Sequence, residues 1–174
     1  MSIRVKHFLQ QEHQWCLRAN TWAEQTWVRR YFQTVSRLGD GMVWYMLMAV
    51  IMMVEGTRGI PVFLHMAVMA VTTALLYRIL KKWTKRQRPF ATDKRIHVWT
   101  APLDEFSFPS GHTLHAVSFT LVALAYYPVL APVLIPLAIS IALSRVILGL
   151  HYPSDVFAAT IIGSLLAWVS FFIF

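Results

Sequence analysis

Acidic residues are scarce in this chain: 8 Asp and Glu stand against 16 Lys and Arg in 174 residues, a formal charge of +8. Cysteine is scarcer still. Cys16 is the single one, which excludes an internal disulfide and any cysteine metal cluster. No internal repeat and no low-complexity tract occurs, so solenoid and array architectures are set aside. A continuous apolar leader core is also missing. Residues 1–30 carry charges throughout, so the expectation is that no signal peptide is cleaved and the hydrophobic spans direct insertion. Charge itself nearly vanishes in the second half. From Phe106 to Phe174 only Arg145 and Asp155 are formally charged, with His151 between them.

What is abundant is apolar surface. The sequence is 57% hydrophobic and its mean hydropathy is +0.52, beyond ordinary soluble domains. The basic residues lie outside the apolar runs. Anionic lipid and phosphate are therefore the expected partners, and nucleic acid is not.

The runs are helix-length and do not alternate, so the fold class is all-α, a polytopic membrane bundle. Five spans are expected, at about 41–54, 60–80, 112–127, 132–148 and 156–174. The second is close to the ~20 residues that cross a hydrocarbon core. Pro128, Pro132 and the Tyr126-Tyr127 pair place a tight turn near 127–131. Ser36 to Gly41 reads as another turn. Residues 3–36 mix Phe8, Trp15, Trp22, Trp27, Tyr31 and Phe32 with Arg4, Lys6, Arg18, Arg29 and Arg30. They read as one or two amphipathic helices at the interface, aromatic face down; a soluble helical cap is the plainer alternative. The whole of 1–174 forms one domain, with 1–40 interfacial and 41–174 the helical core. His65, alone inside its span, reads as a helix–helix hydrogen-bonding group.

Three polar clusters interrupt this pattern. Lys81 to Pro89 is strongly basic, and alone it is a juxtamembrane flank. Pro109-Ser110-Gly111-His112 is a loop-to-helix start whose free amides attract anions. Ser144 to Asp155 holds Arg145, His151 and Asp155. A charge at membrane depth costs about 2.5–3.5 kcal/mol, so two of them flanking a histidine mark a site or a structural ion pair. With five spans all three clusters fall on one side of the membrane and can converge.

In this order and spacing the clusters resemble the type 2 phosphatidic acid phosphatase family, whose pattern is Lys-x6-Arg-Pro, Pro-Ser-Gly-His and Ser-Arg-x5-His-x3-Asp. Every fixed position is matched: Lys81, Arg88, Pro89, Pro109 to His112, Ser144, Arg145, His151 and Asp155. The resemblance implies a membrane lipid phosphatase that forms a phosphohistidine on His151. Within it Asp155 orients His151, and His112 protonates the departing oxygen and then activates water. Lys81, Arg88, Arg145, Ser110 and Gly111 bind the phosphate. Phosphoryl transfer is mostly positioning and charge stabilisation, and arginine forks suit phosphate oxygens. No metal and no cofactor are expected, because fixed cations can replace a divalent ion. His115, three residues beyond His112, is assigned to the core or to support of the site. His97 is taken as a surface or head-group contact, and residues 90–108 as the segment that sets head-group choice.

Among bacterial members the compact form resembles undecaprenyl diphosphate phosphatases most. Phosphatidylglycerophosphate or phosphatidate hydrolysis is the runner-up. A lipid phosphotransferase would use the same pocket, and an anionic-lipid-binding scaffold is the non-enzymatic rival. A scaffold needs the cations but not His151 beside Asp155. The expected location is the bacterial cytoplasmic (inner) membrane. The positive-inside rule alone puts the basic clusters in the cytoplasm. The resemblance to undecaprenyl diphosphate phosphatases implies a site facing outward, and that is the expectation adopted.

Overall fold

A computed structural model describes residues 3–174. Residues 1 and 2 of the expected interfacial segment lie outside the described residues, as do the side chains of Arg4 and Lys6. Eight α-helices follow in order: α1 (Ile3–Trp22), α2 (Thr26–Leu38), α3 (Met42–Glu55), α4 (Ile60–Thr84), α5 (Pro89–Thr92), α6 (Gly111–Tyr126), α7 (Ala131–Ile147) and α8 (Pro153–Ser170). No strand occurs among the described residues.

Helix α6 is the hub. It packs against α8, α4 and α7, while α3 leans on α4. The α6–α8 approach is close because Gly163 has no side chain. A Cβ there would meet the Leu114 carbonyl oxygen at 3.0 Å and Ser118 Oγ at 3.1 Å. Ser118 Oγ instead donates to the Gly163 carbonyl at 3.2 Å, a small-residue contact of the kind that joins helices in lipid. On the other side of α6, Trp44 of α3 stacks on Phe119 with ring centroids 5.3 Å apart. At the end of the bundle remote from the polar clusters, His65 ties three helices together. Its Nδ1 pairs with Tyr126 Oη at 3.0 Å and its Nε2 with Ser170 Oγ at 2.6 Å. This is the helix-bridging role expected of it.

The outward faces are apolar. Phe157, Ile161, Leu165 and Trp168 are exposed at three- and four-residue intervals along α8, and α4 shows Val68, Val71, Leu75 and Ile79. Such a continuous apolar exterior fits lipid, not water. Among the described residues three helical stretches are long and apolar enough to cross a membrane: Met42–Thr92, Pro128–Ile147 and Pro153–Ser170. The first of these contains both α3 and α4, joined by a 3-10 turn at Gly56–Gly59. Helix α6 has 16 residues, which at ~1.5 Å per residue reaches about 24 Å.

One local boundary differs from the sequence expectation. Helix α2 runs on through Leu38, so the turn is only Gly39-Asp40-Gly41, with Gly41 at φ 126. Ser36, expected in the turn, is therefore on the last turn of a helix and buried. Helices α1 and α2 pack on α7, and α1 also on α8. The buried stripe of α1 is Glu12, Cys16 and Asn20, continued by Ala23 in the turn that follows, polar or small at each position. Asn20 Nδ2 donates to the carbonyls of His97 and Ile147, both at 3.0 Å. Trp15, Trp22, Trp27 and Tyr31 stay exposed. The N-terminal helices thus cap the end of the bundle where the charges lie, and hold their aromatic groups outward.

Candidate active site

That end of the bundle gathers six of the sequence-predicted residues around one cavity of about 100 Å³: Lys81, Arg88, Gly111, His112, Arg145 and His151. Each comes from a helix end or a turn. Lys81 lies in the last turn of α4. Lys85 then closes α4 in the left-handed region, φ 46, and residues 85–88 run without helix to Pro89. Residues two apart in extended chain share a side, and Arg86 and Arg88 both reach the 150–155 turn. Gly111 and His112 open α6, Arg145 lies in the last turn of α7, and His151 sits in the turn before α8.

The cations are not equivalent. Lys81 Nζ donates to Asp104 Oδ1 at 2.6 Å and to the Phe106 carbonyl at 2.7 Å. Arg88 donates to the same Oδ1 at 2.8 Å and to the Leu150 carbonyl at 2.8 Å. Asp104 therefore bridges two cations of the cavity wall. Burial pushes its carboxyl up, but the hydrogen bond and charge of Lys81, with Arg88 adding to them, outweigh this and hold it below the ordinary carboxylate range. Arg145 has no such partner. It is 2% exposed, it donates to Ser36 Oγ, and its Nε has no hydrogen bond. No carboxylate lies within ion-pair distance of it among the described residues. A buried guanidinium without a counter-ion is costly, and an anion bound in the cavity would lower that cost.

The two imidazoles are held in opposite senses. Arg88 lies 3.2 Å from His151 Nε2. A guanidinium can only donate, so Nε2 accepts, and the neutral ring carries its proton on Nδ1. That Nδ1 stands 3.6 Å from Asp155 Oδ2 and has no hydrogen bond. The Asp155 pair expected from the sequence is thus within ion-pair range but longer than a hydrogen bond. Burial, and then the charges of Arg145, Arg88 and Lys81, push His151 well below the usual histidine range. The ring is therefore favoured in its neutral form, with its lone pair on Nε2 facing Arg88. His112 faces a carboxylate. Its Nε2 donates to Asp40 Oδ1 at 2.5 Å.

Asp155 is fixed from behind the cavity. Its Oδ2 accepts from the Tyr152 amide at 2.9 Å and from Ser107 Oγ, and its Oδ1 accepts from Arg86 at 2.7 Å. The other Arg86 amino group reaches Glu12 of α1 at 2.7 Å, and Glu12 Oε1 accepts from the Ser154 amide at 2.8 Å. Glu12 and Asp155 are 1% and 0% exposed, so Arg86 is their shared counter-ion. Arg86→Met leaves both carboxylates uncompensated. The expected result is a loss of about 3–5 kcal/mol, read as a lowered thermal unfolding temperature in detergent.

Ser110 is placed otherwise than its companions. It is fully buried, and its hydroxyl pairs with Thr113 Oγ1 at 3.0 Å instead of lining the cavity; its neighbour Gly111 does line it. His115 also lines it, with Nδ1 on the Gly111 carbonyl at 3.0 Å. His97 is held by its backbone to Asn20, with its ring exposed. Sequence reasoning missed Asp40, Asp104, Glu12 and Arg86. Their signal was the scarcity of acid: four of the 8 acidic residues, Glu12, Asp40, Asp104 and Asp155, each hold a basic or imidazole group at this end.

Fixed cations around a cluster of imidazoles, at one end of a helical bundle with an apolar exterior, are the features of a helical membrane protein with a polar site at one end. The chain belongs to the PAP2 superfamily, whose pattern matches residues 62–174. It is 30% identical over 142 residues to an undecaprenyl-diphosphatase of Sulfolobus acidocaldarius, covering 79% of this chain and 65% of that protein. It is 36% identical over 87 residues to a decaprenylphosphoryl-5-phosphoribose phosphatase of Mycobacterium tuberculosis, covering 49% of this chain and 46% of that protein. The chain thus spans between about half and about two thirds of the length of these relatives. A transmembrane PAP2-type phosphatidylglycerolphosphate phosphatase from Bacillus subtilis has the same fold. Its TM-score is 0.73 at 22% identity, over 97% of this chain and 85% of that one.

Proposed function

We propose that this chain is a lipid phosphatase that hydrolyses a lipid phosphate or diphosphate without a divalent ion, through a phosphohistidine on His151. The observation that carries the reading is Arg145, buried without a counter-ion on the wall of the cavity that His151 also lines. The phosphoryl group sits among Lys81, Arg88 and Arg145 and the amides that open α6 at Gly111; the Ser110 amide donates to the Asp155 carbonyl at 3.3 Å, so Ser110 supports this turn from behind. His151 Nε2 attacks phosphorus while Asp155 receives Nδ1–H. His112 protonates the leaving oxygen, and in the second step it takes a proton from the attacking water.

The substrate class is a prenyl-linked phosphate or diphosphate, most of all undecaprenyl diphosphate released as undecaprenyl phosphate. The names of the two curated relatives support this. A second cavity of about 240 Å³, lined by Trp44, Tyr45, Ala70, Ala74 and Phe119, adjoins the first through Gly39, Asp40, Tyr77 and His115. It offers the first carbons of the lipid a place between α3, α4 and α6. We further propose that α3, α4, α6, α7 and α8 each cross the bilayer of a bacterial cytoplasmic membrane, with the site outside and the C-terminus in the cytoplasm. A reporter fused after Phe174 that is active only outside contradicts that orientation.

The test of the function is phosphate release from detergent-solubilised protein, with prenyl diphosphates, prenyl monophosphates and phosphatidyl monophosphates as substrates and chelator in excess. Release that survives the chelator is the expected result. Strict dependence on Mg²⁺, or binding without turnover of any substrate, contradicts the proposal.

Asp104 gives a further expectation. Its carboxylate rests on Lys81 and Arg88, where the substrate phosphate must go. Asp104→Asn removes the competing charge. The half-inhibitory concentration of vanadate, a phosphate mimic, should fall by about tenfold, a change equivalent to ~1.4 kcal/mol.

A further inference from the structure

The chain before residue 62 lies outside the matched family pattern, yet the corner between α2 and α3 touches the site twice. Ser36 accepts a hydrogen bond from Arg145, and Asp40 accepts one from His112. The fit depends on Gly39. A Cβ there would stand 3.0 Å from Ile141 Cγ2 and 3.2 Å from His112 Cδ2, so a larger residue makes the corner or the imidazole give by a few tenths of an ångström.

The geometry points to Asp40 as the positioning residue for proton transfer by His112, a second histidine–carboxylate pair set beside the His151–Asp155 pair. This rests on the reading of His112 as proton donor. A carboxylate on Nε2 does two things. It keeps that nitrogen protonated in every state of the ring, so the proton that moves is the one on Nδ1. It also offsets the positive charge of the imidazolium, which otherwise shares the cavity with the unpaired charge of Arg145. Asp40 itself is suited to remain ionised. Its side chain is 44% exposed. The hydrogen bond from His112 holds its carboxyl below the ordinary range, with Arg145 and Arg37 acting in the same sense against a weaker effect of burial.

The balance is closed. As His151 Nε2 bonds to phosphorus, the bond to the leaving oxygen breaks and its electron pair goes to that oxygen. The oxygen takes the Nδ1 proton of His112 and departs as a lipid alcohol or a lipid monophosphate. The neutral ring now has its lone pair on Nδ1 and still donates from Nε2 to Asp40. In the second step water attacks phosphorus and gives its proton to that lone pair. The nitrogen–phosphorus bond breaks, and its electrons return to His151. Asp40 changes protonation in neither step.

A general acid matters in proportion to the basicity of the leaving group. The test therefore compares a prenyl monophosphate, which leaves as an alkoxide, with a nitrophenyl phosphate, whose leaving group needs no proton. Asp40→Asn is expected to lower kcat on the prenyl substrate by about 10²-fold and on the aryl substrate by no more than a few-fold. Asp40→Glu should recover part of the loss, and Gly39→Ala should show the same selective loss in smaller measure. Equal losses on both substrates, as a purely structural role gives, overturn the inference. So does a faster Asp40→Asn enzyme, the result if Asp40 only occupied the place of the leaving oxygen. If the wild-type protein turns over neither substrate, the phosphatase reading falls and takes this inference with it. A wild type active on both, with unselective variants, sinks this inference alone.

Discussion

Replacing His151 with alanine abolishes phosphate release, with a residual rate at least about 10³-fold below wild type. Of the three imidazoles that line the cavity, His115 is turned to the Gly111 carbonyl through Nδ1 and His112 is assigned to proton transfer. His112 is committed to Asp40 through Nε2, and the three cations can only donate. The fold should tolerate the change, because the His151 ring makes one side-chain hydrogen bond, to Arg88, and leaves Nδ1 unpartnered. Thermal unfolding should shift little while turnover disappears. In the wild-type protein, burial and the surrounding cations favour the neutral His151 ring. The acid limb of the rate profile due to this group therefore lies below the ordinary histidine value of ~6.5. Full activity in the alanine variant removes His151 as the nucleophile.

Arg145→Leu should move activity and stability in opposite directions. The guanidinium is buried with one hydroxyl partner and no carboxylate. With no anion beside it the guanidinium is a desolvated charge, and a leucine in its place is expected to leave the stability of substrate-free protein unchanged or to raise it by about 1–4 kcal/mol. On the proposed reading the same residue is the cation that substrate neutralises, so its loss should fall on the transferring phosphoryl group. A decrease of about 10²–10³-fold in kcat is expected from the loss of one oriented donor. Steady-state kinetics and thermal unfolding on one preparation read both. A variant that is slower and also strongly destabilised would show that Arg145 serves the fold and not the anion. Ser36 completes the argument. A hydroxyl positions the guanidinium without cancelling its charge, where a carboxylate at that place would have done both.

Much of this was legible in the sequence because it rests on length and spacing. The apolar runs expected to span at 41–54 and 60–80 are α3 and α4, and those at 112–127 and 132–148 are α6 and α7, each within a few residues. Lipid demands an unbroken apolar stretch, and glycine, proline or charge marks its ends. Lys81, Arg88, Arg145, His112 and His151 converge because each sits where a helix meets a turn on one side of the bundle. What escaped sequence reading has a common cause: the contacts are made across the fold by residues with no periodic partner. Asp104 lies in the long irregular segment between α5 and α6, where no repeat predicts which side chain turns inward. Glu12 looks like the solvated face of an amphipathic helix, yet it is buried against Arg86, 74 residues away. Ser36 and Asp40 read as an ordinary turn until α2 is seen to run on through Leu38. Ser110 shows the converse. Its motif position suggested a phosphate ligand, while its hydroxyl turns to Thr113.

The central claim is that phosphorus is captured by one ring nitrogen inside a cage of fixed cations. The most direct measurement is to quench the wild-type protein during turnover of a ³²P-labelled lipid phosphate in excess chelator, and to map the label by mass spectrometry. Acid-labile, base-stable phosphate on His151 is the predicted result. Label on any other residue, or turnover that stops when divalent ions are removed, would contradict it.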